Sequence, residues 1–308
     1  MILLKDTKLH KVNKQNFYLS GVGKELRRSL ITYKEKTVHL TEWGEAHNPT
    51  IVCLHGLGST SLSFLEVAEE LQKDFKIIAF DAPGHGKSEP FDTAVDYEMP
   101  RLVDWLHGLL VHLNVSDFYL LSHSWGSFLA LHYLVRYPEH VLDTILIDGG
   151  YQTKRIWSSS LEEEMDHYEK DFDEYVFDSW NDFFLAEKES YLMWSPLKNI
   201  AVQDLGIERD GKVCWHAKGE TARHIIRGMH LNETEDIYHL LPPGITLLVA
   251  TVPERLSDMR LQTAETFRIN ANGELHIVPN TTHLLHWDRP RIVIDVVLSK
   301  WLKKLEVK

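Results

Sequence analysis

Short apolar runs recur along the chain, and between them apolar positions return at helical spacing, so the pattern predicts strands alternating with amphipathic helices. The runs are Thr50 to Leu54, Phe75 to Phe80, Phe118 to Leu121, Val141 to Ile147, Ile245 to Ala250 and Leu275 to Val278. Between them lie the stripes Phe64, Val67, Ala68, Leu71 and Leu102, Trp105, Leu106, Leu109, Leu110, Leu113. A third stripe, Phe128, Leu131, Leu134, Val135, stops at Tyr137-Pro138, where proline disfavours helix before it, and a last one carries Ile292, Val293, Val296, Val297, Trp301 and Leu305. Strands that alternate with helices predict an α/β fold, a mostly parallel central sheet with helices on both faces. Between Gly150 and about Leu240 the sheet pattern stops. Aromatics take over there: Trp157, Tyr168, Tyr175, Phe177, Trp180, Phe183, Phe184, Tyr191, Trp194 and Trp215. The expected organisation is a core domain from residues 1–150 and 241–308, interrupted by a mostly helical insert over 151–240.

The candidate chemistry sits where the predicted strands end. Ser122-His123-Ser124-Trp125-Gly126 follows the run Phe118 to Leu121 and precedes a helix, which puts Ser124 at the apex of a strand–turn–helix. A serine in such a strained turn is pushed out above the sheet, and the next backbone N–H, that of Trp125, can bind an oxyanion. Small residues two before and two after the serine let strand and helix approach. Upstream, the strand ending at Leu54 runs into His55-Gly56-Leu57-Gly58-Ser59, a turn able to aim backbone N–H groups inward. Downstream, the strand ending at Val278 leads to Pro279-Asn280-Thr281-Thr282-His283, with Asp288 and Pro290 following. A serine hydroxyl becomes a nucleophile when a neutral imidazole takes its proton, and His283 follows the last predicted strand, where such a base belongs.

These segments, in this order, together with Asp81-Ala82-Pro83-Gly84-His85-Gly86-Lys87-Ser88, resemble the α/β-hydrolase superfamily of lipases, esterases and carbon–carbon hydrolases over roughly residues 36–305. The resemblance implies a serine hydrolase with Ser124 as nucleophile, His283 as base and the backbone N–H groups of Leu57 and Trp125 as oxyanion hole. It implies that the insert over 151–240 is a cap that roofs the pocket, and that His55 braces the oxyanion loop. His286, three residues after His283, is the fallback for the base and otherwise a structural residue. The sequence departs from the family pattern twice. Ser122 stands where the elbow usually has glycine, and Thr251-Val252-Pro253-Glu254 replaces the usual Gly-x-x-Asp turn. Glu254 occupies the aspartate position and is the first candidate for the acid that orients His283. Asp148, in Ile147-Asp148-Gly149-Gly150, is the alternative acid, and Asp258 a third. Carbon–halogen and epoxide cleavage in this fold use aspartate at the elbow, which Ser124 is not.

Composition narrows partners and setting. The 308 residues carry a formal net charge of -12, and 151–240 alone holds 19 acidic against 10 basic residues. That balance disfavours nucleic acid and polyanionic substrates as partners, because phosphate binding needs basic patches. The Glu162-Glu163-Glu164 run reads as a solvated helix face. The spacing of histidines and the two cysteines, Cys53 and Cys214, matches no metal site or disulfide framework. Gly21-Val22-Gly23 precedes no βαβ unit, so no nucleotide cofactor is expected. With no secretory signal pattern at Met1 to Asp6 and no long apolar run, the expectation is a cytoplasmic protein without membrane insertion. Lys24, Arg27 and Arg28 mark either an exposed arm or a first helix. The composite expectation is a hydrolase of a small, uncharged ester, lactone or related acyl compound. Its rival is a hydrolase-fold protein that binds a ligand or signals without turnover.

Overall fold

The computed structural model describes residues 15–17, 26–156 and 159–303; Trp157, Lys24, Leu305 and Gly21-Val22-Gly23 lie outside them. The chain opens with β1 (Gln15–Phe17), β2 (Arg27–Tyr33) and β3 (Lys36–Trp43), which pair antiparallel at one edge of a nine-stranded sheet. Arg27 and Arg28 are thus strand residues, neither an exposed arm nor a helix. The stretch Ser29 to Tyr33 alternates buried and more open positions as a half-covered strand does, while Arg28 breaks the alternation, buried against Asp204 at 2.6 Å. Then follow β4 (Thr50–Leu54), α1 (Leu65–Leu71), β5 (Lys76–Phe80), α2 (Met99–His112), β6 (Phe118–His123), α3 (Trp125–Arg136) and β7 (Val141–Ile147).

The insert contains α4 (Leu161–Glu174), β8 (Val176–Phe177), α5 (Trp180–Glu189), α6 (Pro196–Leu205), β9 (Gly206–Arg209), β10 (Lys212–Trp215) and α7 (Gly219–Leu231). Its three strands form a small antiparallel sheet of its own, a feature the aromatic-rich sequence did not signal. The chain then returns to the large sheet with β11 (Thr246–Ala250), α8 (Ser257–Asn270), β12 (Glu274–Val278), α9 (Leu285–Asp288) and α10 (Pro290–Val297). No helix among the described residues is long and apolar enough to cross a membrane.

The strand order β1-β2-β3-β5-β4-β6-β7-β11-β12 is parallel from β5 to β12. Alternation along each strand feeds two separate cores. Phe118 and Leu120 of β6 pack with α2 and α3 on one face, whereas Tyr119 and Leu121 pack with α1 and α10 on the other. Burying both faces explains why β6 is buried along its whole length and apolar from Phe118 to Leu121 instead of alternating with polar residues. The chain reverses its direction of travel across the sheet at β4, so the loop after β4 and the turn after β6 lie side by side at the carboxyl ends of the strands, the usual place for a crevice in an open α/β sheet.

Candidate active site

Ser124 leaves β6 with φ 52° and ψ −122°, outside the regions an ordinary residue occupies, and α3 starts one residue later. Close packing holds this turn. A side-chain carbon on Gly126 would come within 2.4 Å of the Leu54 carbonyl oxygen, and one on Gly149 would stand 2.4 Å from the Ser124 carbonyl oxygen. The missing elbow glycine is absorbed without cost in hydrogen bonding. Ser122 is fully buried and its Oγ lies 3.0 Å from Ser127 Oγ.

Ser124 Oγ lies 2.7 Å from His283 Nε2, and His283 Nδ1 lies 2.7 Å from Asp148 Oδ2. A carboxylate accepts only, so the imidazole donates from Nδ1 and presents Nε2 as acceptor to the serine hydroxyl. The structure therefore joins Ser124, His283 and Asp148. It does not join Glu254, which lies exposed in the short turn Glu254–Leu256 after β11. Asp258, also exposed, lies in the first turn of α8. The physical reason is the path of the chain: after Ala250 the loop turns outward, while Arg260 fixes its backbone by donating to the carbonyls of Val252 at 3.0 Å and Ala250 at 3.4 Å. Asp148, one strand over at the end of β7, is 0% exposed and faces the inner side of that turn.

Asp148 is supported on every side. Its Oδ1 accepts from the Tyr151 hydroxyl at 2.7 Å and from the Ala250 amide at 3.1 Å, and the Arg260 guanidinium stands 3.6 Å from Oδ2. Burial alone would raise this carboxyl. The hydrogen bond and charge of His283, helped by Arg260 and Tyr151, outweigh it and keep Asp148 below its ordinary value. Burial and the Asp148 charge in turn push the Tyr151 phenol up, so it stays a donor. Neither Tyr151 nor Arg260 was visible in the sequence as a support, because no motif marks a partner that packing brings in from another element.

The neighbouring histidines are scaffolding. His55 donates from Nδ1 to the Gly56 carbonyl at 2.7 Å and accepts the Ala82 amide on Nε2 at 2.9 Å, which ties the loop after β4 to the loop after β5. His123 donates from Nε2 to the backbone carbonyl of His283 at 2.8 Å, anchoring the loop that carries His283. Burial first, then the proximity of His283, lowers His123 to about 3, so it is neutral at physiological pH. His286 is buried with Nε2 2.9 Å from Ser63 Oγ. Asp288, two residues on, accepts from both the amide and the hydroxyl of Thr282 at 2.7 Å and closes the same loop. Trp125 is the first residue of α3, so its N–H is among those with no intrahelical acceptor, and Leu57 lies in the loop after β4 whose Gly56 packs against Ser124.

A cavity of about 300 Å³ opens in front of Ser124 and His283. The insert contributes Gln152, Lys154, Ser159, Glu164, His167, Tyr168 and Met229 to its wall. Of the insert's described aromatics only Tyr168 lines it; most of the others, Phe183 at the centre, form a separate small core with Val202 and Val213. The Glu162-Glu163-Glu164 run is not a uniformly solvated face. Glu163 caps α4 against Ser160, and Glu164 is buried, paired with Lys154 and with His230.

Residues 49–192 match the sequence family described as alpha/beta hydrolase fold. A human serine hydrolase-like protein is 31% identical over 106 residues, 34% of this chain and 52% of that protein. The (E)-2-((N-methylformamido)methylene)succinate hydrolase of Acinetobacter baylyi is 28% identical over 127 residues, 41% of this chain and 47% of that one. The chain thus matches about half the length of these relatives. The crystal structure of E-2-(acetamidomethylene)succinate hydrolase superposes with a TM-score of 0.73 at 20% identity, covering 89% of this chain and 98% of that one. Sheet order, elbow and superposition lead to one conclusion: this chain has the α/β-hydrolase fold, and its residues 49–192 are similar to the sequence family of that name.

Proposed function

We propose that this chain is a serine hydrolase that cleaves a small carboxylic ester, lactone or related acyl compound through an acyl-enzyme. The observation that carries this reading is the unbroken line of hydrogen bonds from Ser124 Oγ through His283 to buried Asp148, at 2.7 Å each. His283 Nε2 takes the hydroxyl proton as Ser124 Oγ attacks the acyl carbon, and Asp148 stabilises the imidazolium that forms. The amides of Leu57 and Trp125 receive the oxyanion, each worth roughly 3 kcal/mol of barrier. Collapse breaks the bond to the leaving group, which carries away the proton from His283. Water, deprotonated by the same Nε2, then releases the acid and restores Ser124. The insert serves as a cap that narrows access and excludes bulk water from the cavity.

Two departures from the family pattern motivate the rival, a binding or signalling protein without turnover, and the geometry around each supports the hydrolase reading instead. Ser122 fits with its hydroxyl bonded to Ser127, and the acid missing after β11 is supplied by Asp148 after β7. Replacing Ser124 with alanine and assaying short p-nitrophenyl esters tests the reading. Hydrolysis should fall to the uncatalysed background, and hydrolysis at the native rate refutes the assignment.

A further inference from the structure

One charged group in the cavity has no part in the chemistry described above. Lys154, in the short turn Lys154–Ile156 that follows β7, is only 7% exposed, yet it lines the same cavity as Ser124 and His283. It is the one lysine or arginine among the described residues of that wall. Its ammonium pairs with Glu164 Oε1 and lies 5.7 Å from the centre of the Tyr168 ring. The other oxygen of Glu164 is 2.6 Å from His230 Nε2, so the carboxylate is shared between two partners. An ammonium has three N–H donors. Glu164 takes one, and the described residues supply no further acceptor.

Stability does not explain such an arrangement. Moving an ammonium and a carboxylate out of water costs more than their pairing reliably returns, and apolar residues of similar size often serve as well. A cation oriented by a carboxylate and left with spare donors at a cavity wall is instead suited to hold an oxygen of something that enters. The negative balance of the whole chain predicts an uncharged substrate, and Lys154 is the local exception that falls beside the reacting groups.

We propose that Lys154 is a specificity residue that binds an oxygen acceptor of the substrate, a carboxylate or second carbonyl, on the part remote from the scissile bond. The inference rests on the hydrolase reading and narrows it to esters that carry such a second acceptor. Glu164, held in turn by His230, positions the ammonium.

The test compares ethyl butyrate, diethyl succinate and monoethyl succinate, with released acid followed in a pH-stat for the intact chain and its variants. The wild type should favour one or both succinate esters over ethyl butyrate by about tenfold or more in kcat/KM, the scale of one hydrogen bond from a charged donor. Preference for the monoester identifies a carboxylate as the natural acceptor, and equal preference for the diester identifies a carbonyl. In Lys154→Met the preference should fall to about one. Should that variant fail to fold because Glu164 is left buried and unpaired, Lys154→Met with Glu164→Gln removes both charges, and the wild-type ratios stand without either. Equal rates on all three esters, or a preference that survives the double variant, overturn the assignment of Lys154. The hydrolase reading is followed separately through labelling of Ser124 by a fluorophosphonate. A chain that labels but refuses all three esters overturns only the Lys154 assignment, and a chain that neither labels nor hydrolyses overturns both.

Discussion

The strand ends and the insert handle charge in opposite ways. At the strand ends one carboxylate, Asp148, is fully buried and met by three hydrogen-bond donors from the sheet and the loops that leave it, and by the guanidinium of Arg260 on α8. In the insert most charges pair at the surface, as where Arg223 meets Glu162, Asp166 and Glu169, and such pairs contribute little. Reaction geometry needs positions fixed to a fraction of an ångström, which a doubly covered sheet supplies. Recognition needs only a wall of suitable shape and donors, which an insert with its own small core can carry and vary.

That contrast is sharpest at the acid. Asp148→Asn should reduce kcat by about 10⁴, because an amide can no longer hold His283 in the donating tautomer, whereas Glu254→Gln should leave kcat within about twofold. Ester kinetics on the two variants check the difference, and a large loss at Glu254 with little at Asp148 would reverse the account of the site.

Phe183→Ala strikes the other region. Phe183 is 0% exposed at the centre of the insert's own core, so the truncation should cost about 3–5 kcal/mol. Hydrogen exchange should show α5 and β10 losing protection while β6 and β7 keep theirs. Equal loss in both regions would mean that they fold as a single unit and that the contrast is one of chemistry alone.

Gly149→Ala tests how tightly the strand ends are packed. The added carbon would stand 2.4 Å from the Ser124 carbonyl oxygen, so the elbow must shift, and kcat should fall by roughly 10². A variant with native kinetics would show the turn to be looser than its contacts indicate.

The smallest expected effect is in the pH dependence of stability. His85 and His123, beside the site, are each lowered to about 3, chiefly by burial. The unfolded chain takes up protons near the ordinary value of 6.5 and the folded chain does not, so their contribution is complete above 6.5 and is lost as pH falls towards 3. Glu233 in the insert has the opposite sign: burial raises it to about 7 from 4.5, so its ionisation costs stability as pH rises through that window. Urea melts of wild type and Glu233→Gln at pH 5 and 8 check this. The variant should gain on the wild type at the higher pH, and a gain at the lower pH would contradict the sign.

How much could be read from residues alone follows the same division. The sheet strands and flanking helices were legible because burial on both faces forces continuous apolar runs, and the stripe Leu102 to Leu110 lies in the core as its spacing requires. Ser124 and His283 were legible because each follows a strand whose end the pattern fixes. Asp148 and Glu254 were not separable, since both follow strands and only the outward turn after Ala250 decides between them. The paired strands β1 and β2 went unrecognised because Arg27 and Arg28 mask the alternation, and Arg28 is buried by an ion pair with a residue 176 positions away. Glu164 reads as solvated in sequence for the same reason: the packing of α4 on α7 brings it His230, and the turn Lys154–Ile156 brings it Lys154, which no local pattern records.

The most direct test of the central claim is intact-mass analysis after treatment with a fluorophosphonate, followed by peptide mapping. The account predicts one adduct per chain, on Ser124, formed rapidly by the wild type and slowly by His283→Ala. No adduct, or an adduct on any other residue, would contradict it.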